Sequence, residues 1–295
     1  VMDKAALQQF SIPSELGASI KGLGSDEAFI DWENKLLSFF ALNYQFFTPY
    51  PDYFRLRTYE FRVLRQLLPG YFDLAHPYSA MLELGCNFGY KSVLLSPFAR
   101  KLFAVDIPDT YEGCDLGDFE RTTDIAKIIV NEKMAIPHVE FKNCWPHELP
   151  VDAQSLDLIF SEYVLEHIPD LSAAVKEMHR VLKKGAVMVH TVPNTHDHIR
   201  AFLEANVNLT LRQLFRIAKS QAGAWLKKQY RNQPTLRWNK VIVPPCHSEH
   251  IRSFSKQLDI YTLENYLSPM FECGFRVEKI MSTRENNHVI VVRKG

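Results

Sequence analysis

The chain has 295 residues, with 34 Lys+Arg against 34 Asp+Glu, 46% apolar and 23% charged residues. That balance excludes disordered, collagenous and coiled-coil chains, and the length fits one large α/β domain, or one domain with an appendage, better than two equal domains. No uncharged apolar run approaches the roughly 18 residues that cross a bilayer, VMDKAALQQF lacks a signal-peptide layout, and the five scattered cysteines form no CxxC, so a reduced, cytoplasmic protein with no obligate protein partner is expected.

Residues 1 to 24 are polar and Gly-punctuated and read as a loose lead-in. Ser25-Asp26-Glu27 then looks like a helix start, a capping side chain followed by acids in the first turn. Ala28, Phe29, Trp32, Leu36, Phe39, Phe40 and Phe47 follow at helical spacing. A second helix after TPYPDY runs to about Leu68 and stops at Pro69-Gly70. Residues 1–75 are therefore expected to form an N-terminal helical lid region whose aromatic stripe serves packing.

From Ser79 onward the pattern changes. AMLEL, KLFAVD, HVEFK, LDLIFS and AVMVHTV read as strands, with helical windows at Tyr90 to Phe98, Phe119 to Met134 and Leu171 to Leu182. Such alternation implies right-handed crossovers and a parallel sheet covered on both faces. YTLENYLSPMFECGF reads as a helix stopped by Gly274, and FRVEKIMST and NNHVIVVRK as a hairpin through Glu285-Asn286-Asn287.

The first strand ends in Glu83-Leu84-Gly85-Cys86-Asn87-Phe88-Gly89, directly before a helix. In open parallel sheets, ligands bind at the carboxyl ends of the strands, and a Gly-rich turn lets backbone approach them. The second strand ends at Asp106, 21 residues after Gly85, where a carboxylate can take a ribose diol. A dinucleotide fingerprint needs glycines at 85, 87 and 90, but Asn87 and Tyr90 occupy the last two positions. A cofactor without a pyrophosphate, such as S-adenosylmethionine, fits this turn better.

Over roughly Ser79 to Gly295 the sequence resembles the class I S-adenosylmethionine-dependent methyltransferases, small-molecule branch. Besides the turn and Asp106, three segments carry the resemblance: SLDLIFSEYVLEHIPD, EMHRVLKKGAVMVHTVPN and HIRSFSKQLDIYTLENYLSPMFECGFRVEKI. It implies a Rossmann-like, seven-stranded, mostly parallel sheet with a terminal antiparallel hairpin. The methyltransferase domain would span 76–295, with a helical insertion after the fifth strand at about 200–247. Gly85, Cys86, Asn87 and Gly89 would line the methionine part, Glu83 would support its ammonium group, and Asp106 would hold the ribose hydroxyls. Ile107 would pack on the adenine, and Ser161 and Glu162 would flank the sulfonium. Many relatives have an Asp where this chain has Cys144. A thiol is a poor acceptor, so adenine would be read by backbone, by Asn143, or by stacking on Trp145.

Transfer to oxygen or nitrogen is an in-line displacement helped by positioning and, for a phenol or alcohol, by a general base. The base candidates are His167, His196 and His250; His198 and His247 also fall at the ligand-binding edge. Ubiquinone-pathway and small-RNA O-methyltransferases bind a divalent cation through Glu-x-x-Glu-His. Here Tyr163 holds the first Glu position and Glu162 comes one residue early, so no metal is expected.

Zero net charge hides an asymmetry. From Ala205 to Ser248 there is no Asp or Glu, while Arg212, Arg216, Lys219, Lys227, Lys228, Arg231, Arg237 and Lys240 give +8. Leu211, Leu214, Phe215, Ala218, Ala222, Trp225 and Leu226 fall on one helical face and Arg212, Arg216, Lys219 and Lys227 on its neighbour. This segment reads as a cap over the substrate, with attraction to an anionic acceptor or peripheral membrane contact through 207–240 as the sharper alternatives; nucleic acid is not the expected partner. The leading expectation is O-methylation of a small molecule, including an anionic or membrane-associated sugar or lipid intermediate. C- or N-methylation and a non-catalytic partner protein of the same fold are the competing readings, and the intact turn with Asp106 favours the enzyme.

Overall fold

A computed structural model describes residues 4–48, 51–108, 119–193, 263–283 and 287–295. The basic segment expected at about 200–247, together with His196, His198, His247 and His250, lies outside the described residues. The chain forms two compact units, and the division falls inside β4 (Leu156–Glu162) and β5 (Leu182–Pro193). Among the described residues seven strands, β1 (Met81–Leu84), β2 (Leu102–Asp106), β3 (Val139–Asn143), β4, β5, β6 (Phe275–Ser282) and β7 (Asn287–Lys294), make one sheet in the order β3-β2-β1-β4-β5-β7-β6.

The first unit carries the N-terminal helices, the first three strands, β4 up to Phe160, and Glu177–Val187. Helix α3 (Asp26–Leu42) begins as expected: the Ser25 hydroxyl accepts the Ala28 N–H at 3.2 Å. Its buried Phe29, Trp32, Leu36 and Phe40 recur at helical spacing. Helix α4 (Tyr53–Leu67) ends with Leu68 as its C-cap, directly before Pro69. The Phe29 ring lies 5.3 Å from Phe98, and Phe40 lies 5.2 Å from both Phe54 and Tyr90. The aromatic stripe is core.

The lead-in is not loose. It contains α1 (Lys4–Gln9), α2 (Ser14–Ala18) and a 3-10 turn, Ser19–Gly22. Short helices show no sustained period, and these are held by tertiary contacts: Leu7, Ile12, Leu16 and Ile20 are buried, and the Trp32 indole donates to the Leu16 carbonyl at 2.7 Å. Gly17 lies so close to residue 134 that a Cβ there would fall 1.6 Å from the Met134 carbonyl oxygen.

Strands β1 (Met81–Leu84) and β2 (Leu102–Asp106) are wholly buried. β2 pairs in parallel with β1 and with β3 (Val139–Asn143), with Leu84 opposite Val105 and Asp106 opposite Asn143. Between β1 and β2, α5 (Tyr90–Leu95) is followed by a 3-10 turn at Ser96–Phe98, where Pro97 interrupts the α-helical pattern. The window expected as one helix from Phe119 to Met134 divides into α6 (Thr122–Ala126) and wider π turns over Lys127–Lys133. There the Asn131 amide reaches the Ile136 and Val139 carbonyls at 2.8 and 2.9 Å.

Helix α7 (Leu171–Val181) passes straight into β5 at Leu182, ahead of the apolar run that marks this strand in the sequence. In the first unit, the Lys183 ammonium pairs with Asp157 at 2.6 Å and anchors this early start. The second unit holds Ser161–Lys176 and the chain from Met188 onward. There α8 (Leu263–Glu272) ends beside Gly274, whose φ of 85° is a left-handed stop. β6 (Phe275–Ser282) and β7 (Asn287–Lys294) pair antiparallel, with a bulge between Val277 and Lys279. Among the described residues no helix is long and apolar enough to cross a membrane.

Candidate functional site

The Gly-rich turn is built by backbone conformation. Gly85, Asn87 and Gly89 have φ of 80°, 48° and 81°, the left-handed region that costs an ordinary residue energy. Asn is among the few side chains that visit it readily. A Cβ on Gly89 would meet Ala126, Phe141 and Val130 at 3.1 Å, so this glycine is fixed by packing as well as by φ. The Gly85 and Cys86 N–H groups both donate to the Val105 carbonyl, at 2.8 and 3.1 Å.

Asp106, at the end of β2, is 6% exposed. Its Oδ2 accepts the Asn87 N–H at 2.7 Å and its Oδ1 accepts the Ile107 N–H at 2.8 Å. An ionised carboxylate only accepts, through two oxygens with about four lone-pair positions. Glu83 is 2% exposed beneath the turn, and its Oε2 accepts the Ser92 hydroxyl at 2.5 Å. Tyr90 stands where a dinucleotide site needs its third glycine. It is 5% exposed, its hydroxyl is 2.6 Å from Thr58 Oγ1, and burial pushes its pKa up. That position belongs to helix packing.

Two thiols flank Asp106. Burial, then the Asp106 and Glu83 carboxylates, push the Cys86 thiol well above its ordinary range. Burial followed by Asp106 pushes Cys144 up to about 12. Both are neutral at physiological pH. The Cys144 N–H donates to the Asp106 carbonyl at 2.9 Å, so Cys144 directly extends the β2–β3 pairing. Of the expected readers of adenine, Asn143 is engaged: its amide donates to Thr123 Oγ1 at 2.7 Å. Trp145 is half-buried, and its ring lies nearly parallel to that of His147, with 6.4 Å between centroids. Ile107, next to Asp106 in sequence, is half-buried, and its N–H donates to Asp106 Oδ1.

The second unit places the remaining described candidates around the end of β4. Ser161 is fully buried, with its Oγ 2.7 Å from His190 Nδ1. His190 is also fully buried, its pKa is pushed down to about 3 by burial, and its Nε2 has no partner among the described residues. Glu162 is half-buried. His167 ends the 3-10 turn Leu165–His167, 13% exposed, with Nε2 3.8 Å from Glu166 Oε1. Tyr163 takes a left-handed φ of 57°, its N–H donates to the Thr191 carbonyl at 2.9 Å, and its hydroxyl accepts from Asn287 Nδ2 at 2.6 Å. Among the described residues no three His, Cys, Asp or Glu side chains converge as a metal set.

His190 and Asn287 are functional candidates the sequence reading missed. A histidine inside the apolar alternation of VMVHTV was the available signal for the first. No local signal exists for the second, whose partner lies 124 residues away.

A family model described as a methyltransferase domain matches residues 56–258, well over half of the chain. A protein of Mycobacterium tuberculosis described as a probable S-adenosylmethionine-dependent methyltransferase is 28% identical over 114 residues, 39% of this chain and 35% of that protein. An uncharacterized methyltransferase of Bacillus subtilis is 26% identical over 104 residues, 35% of this chain and 36% of its own. The matches thus span about a third of the length of these curated relatives. Among solved structures, a Pyrococcus horikoshii protein superposes with a TM-score of 0.53 at 16% identity, covering 85% of this chain and 99% of its own. The cyclase SpnF superposes at 0.50 and 12% identity, covering 79% of this chain and 80% of its own. Likeness at these identities speaks to fold alone.

Proposed function

The chain belongs to the methyltransferase-domain family, and from that premise we propose that it binds S-adenosylmethionine at the β1–α5 turn and transfers the methyl group to an oxygen of a small molecule. The observation that carries the cofactor assignment is the turn itself. Three left-handed residues shape the backbone there, the Asp106 carboxylate stands at the adjoining strand end, and Tyr90 fills the place of a dinucleotide turn's third glycine. The Mycobacterium relative's description as S-adenosylmethionine-dependent supports the same cofactor.

When bound, the cofactor supplies a methyl group on a positively charged sulfur, already activated for displacement. The protein's share is then positioning. Gly85, Cys86, Asn87 and Gly89 bind the methionine part, Glu83 favours its ammonium from beneath the turn, and Asp106 orients the ribose. Ile107 and Trp145 give adenine its apolar contacts, with Cys144 a neutral neighbour. Ser161 and Glu162 serve the acceptor side. His167 takes the acceptor's proton, and Glu166 at 3.8 Å favours the imidazolium that results. His190 cannot share this role, because a group with a pKa near 3 is too weak a base at neutral pH. His196 and His250, and the recruitment of an anionic acceptor or membrane by residues 207–240, belong to the same proposal outside the described residues.

A second reading, C-methylation, is favoured by one likeness: a ubiquinone/menaquinone biosynthesis C-methyltransferase of Campylobacter jejuni is 35% identical over 57 residues, 19% of this chain and 24% of its own. Calorimetry with S-adenosylmethionine should show binding, and NADH should show none. Acceptors are then screened with isotope-labelled cofactor, and products are weighed in heavy water. An O-methylated phenol has one exchangeable hydrogen fewer than its parent; a C-methylated one keeps the count and would replace the oxygen assignment. Replacing His167 by Ala should lower turnover by about 100-fold with cofactor affinity unchanged.

A further inference from the structure

The Asp106 carboxylate reaches in two directions across the site. One oxygen holds the N–H of Asn87, within the turn after β1, and the other holds the N–H of Ile107, just past its own strand. Asn87 is the single non-glycine among the turn's three left-handed residues. Its N–H points back to β2 and meets the carboxylate there, and a bond to a carboxylate is the stronger kind. The turn's other anchors, from Gly85 and Cys86 to the Val105 carbonyl, hold only its first two residues. Past Cys86, the turn is shaped by the bond to Asp106 and by the Gly89 N–H, which donates to the Cys86 carbonyl at 2.9 Å.

We infer that Asp106 is a positioning residue for the whole turn, whose carboxylate folds residues 86–89 before any ligand arrives, in addition to touching the ribose. This inference rests on the reading that S-adenosylmethionine binds at this turn. It departs from a simple diol contact in one consequence: losing the carboxylate must weaken a ligand that has no diol to offer. Asp106→Asn separates the two roles. The amide has nearly the same shape and can still exchange hydrogen bonds with hydroxyls. Its NH₂ group, however, must face either the Asn87 or the Ile107 N–H, donor against donor, so one arm of the bridge is lost.

The experiment is a cycle of two proteins and two ligands, read by calorimetry: wild type and Asp106→Asn, each with S-adenosylhomocysteine and with its 2′,3′-dideoxy analogue. Wild type should bind both, the analogue more weakly. The variant should bind the analogue about tenfold or more weakly than wild type does, the loss expected for one charge-assisted bond. Equal affinity of both proteins for the analogue would show that Asp106 acts on the diol alone and would overturn the inference, while leaving the cofactor assignment standing. Failure of wild type to bind S-adenosylhomocysteine would instead overturn the cofactor assignment, and this inference with it. Amide exchange on ligand-free wild type gives a test that needs no variant. The Asn87 and Ile107 N–H groups should be protected as strongly as their neighbours in β2, and exchange at the rate of an open loop would overturn the prefolded turn.

Discussion

The turn after β1 and the end of β4 solve the same problem with different materials. In the first unit, left-handed backbone at Gly85, Asn87 and Gly89 makes the shape, and one carboxylate ties it to the neighbouring strand. In the second unit, the shape comes from paired side chains: Ser161 with His190 and Tyr163 with Asn287. A backbone-built site tolerates variation in side chains that merely face outward, but none at the residues that carry the unusual φ. A site built from side-chain pairs degrades in steps, and a partner of similar shape can restore it.

The strongest way to break the first region is Gly89→Val. The left-handed φ of 81° penalises any β-carbon by about 1–2 kcal/mol, and overpacking against Ala126, Phe141 and Val130 adds about 1–3 kcal/mol. Denaturant unfolding should show the combined loss, and S-adenosylhomocysteine binding should vanish. Binding that survives at wild-type strength would mean the turn is more plastic than its backbone implies.

The corresponding test of the second region is His190→Leu, which leaves a buried Ser161 hydroxyl unpaired at a cost of about 1–3 kcal/mol. His190→Asn places a polar atom near the position of Nδ1 and should recover much of that loss. The two variants also differ from wild type in acid. The folded protein keeps His190 neutral down to about pH 3, whereas the unfolded chain takes up a proton below about 6.5. His190 thus contributes stability that is fully present above pH 6.5 and declines as the pH falls toward 3, by about 1.4 kcal/mol per unit. Unfolding free energies of wild type and His190→Asn should converge between pH 7 and 5 by this slope. Parallel curves would show that the histidine is reached by water and titrates normally.

Asn287→Leu should cost less, about 1 kcal/mol for one neutral hydrogen bond, but should speed amide exchange at Tyr163 and the residues just after it. Smallest of all is Lys101→Ala. Its ion pair with Glu140 is 2.9 Å long but nearly half exposed on both sides, and such pairs contribute about 0–1 kcal/mol. A loss as large as that of His190→Leu would dissolve the distinction between buried and exposed pairs on which this ranking rests.

Much of the first region was legible in the sequence because its determinants are local. Ser25 announces α3, Pro69-Gly70 ends α4, and the spacing from Gly85 to Asp106 places a turn and a strand end together. The same locality explains what went unseen. Helices α1 and α2 are six and five residues long, too short for a periodic signal, and depend on Trp32 and on the contact of Gly17 with Met134. The pairing of the Asn143 amide with Thr123, 20 residues away, likewise had no local signal. Asn287 reads as a turn residue in NNHVIVVRK, and only the folded sheet carries its amide to Tyr163.

The strand order has a consequence for how the molecule is made. β7, the last of the seven strands to be synthesised, lies between β5 and β6 rather than outside them. It is mostly buried, whereas β6 is mostly exposed. A growing chain therefore completes β5 and β6 with a strand-wide gap between them, and the edge of β5 remains an open template for stray pairing until β7 emerges. Translation that stops short of β7 yields more than a shortened protein: it yields a sheet cut off from its edge strand β6, and a Tyr163 whose Asn287 partner was never made.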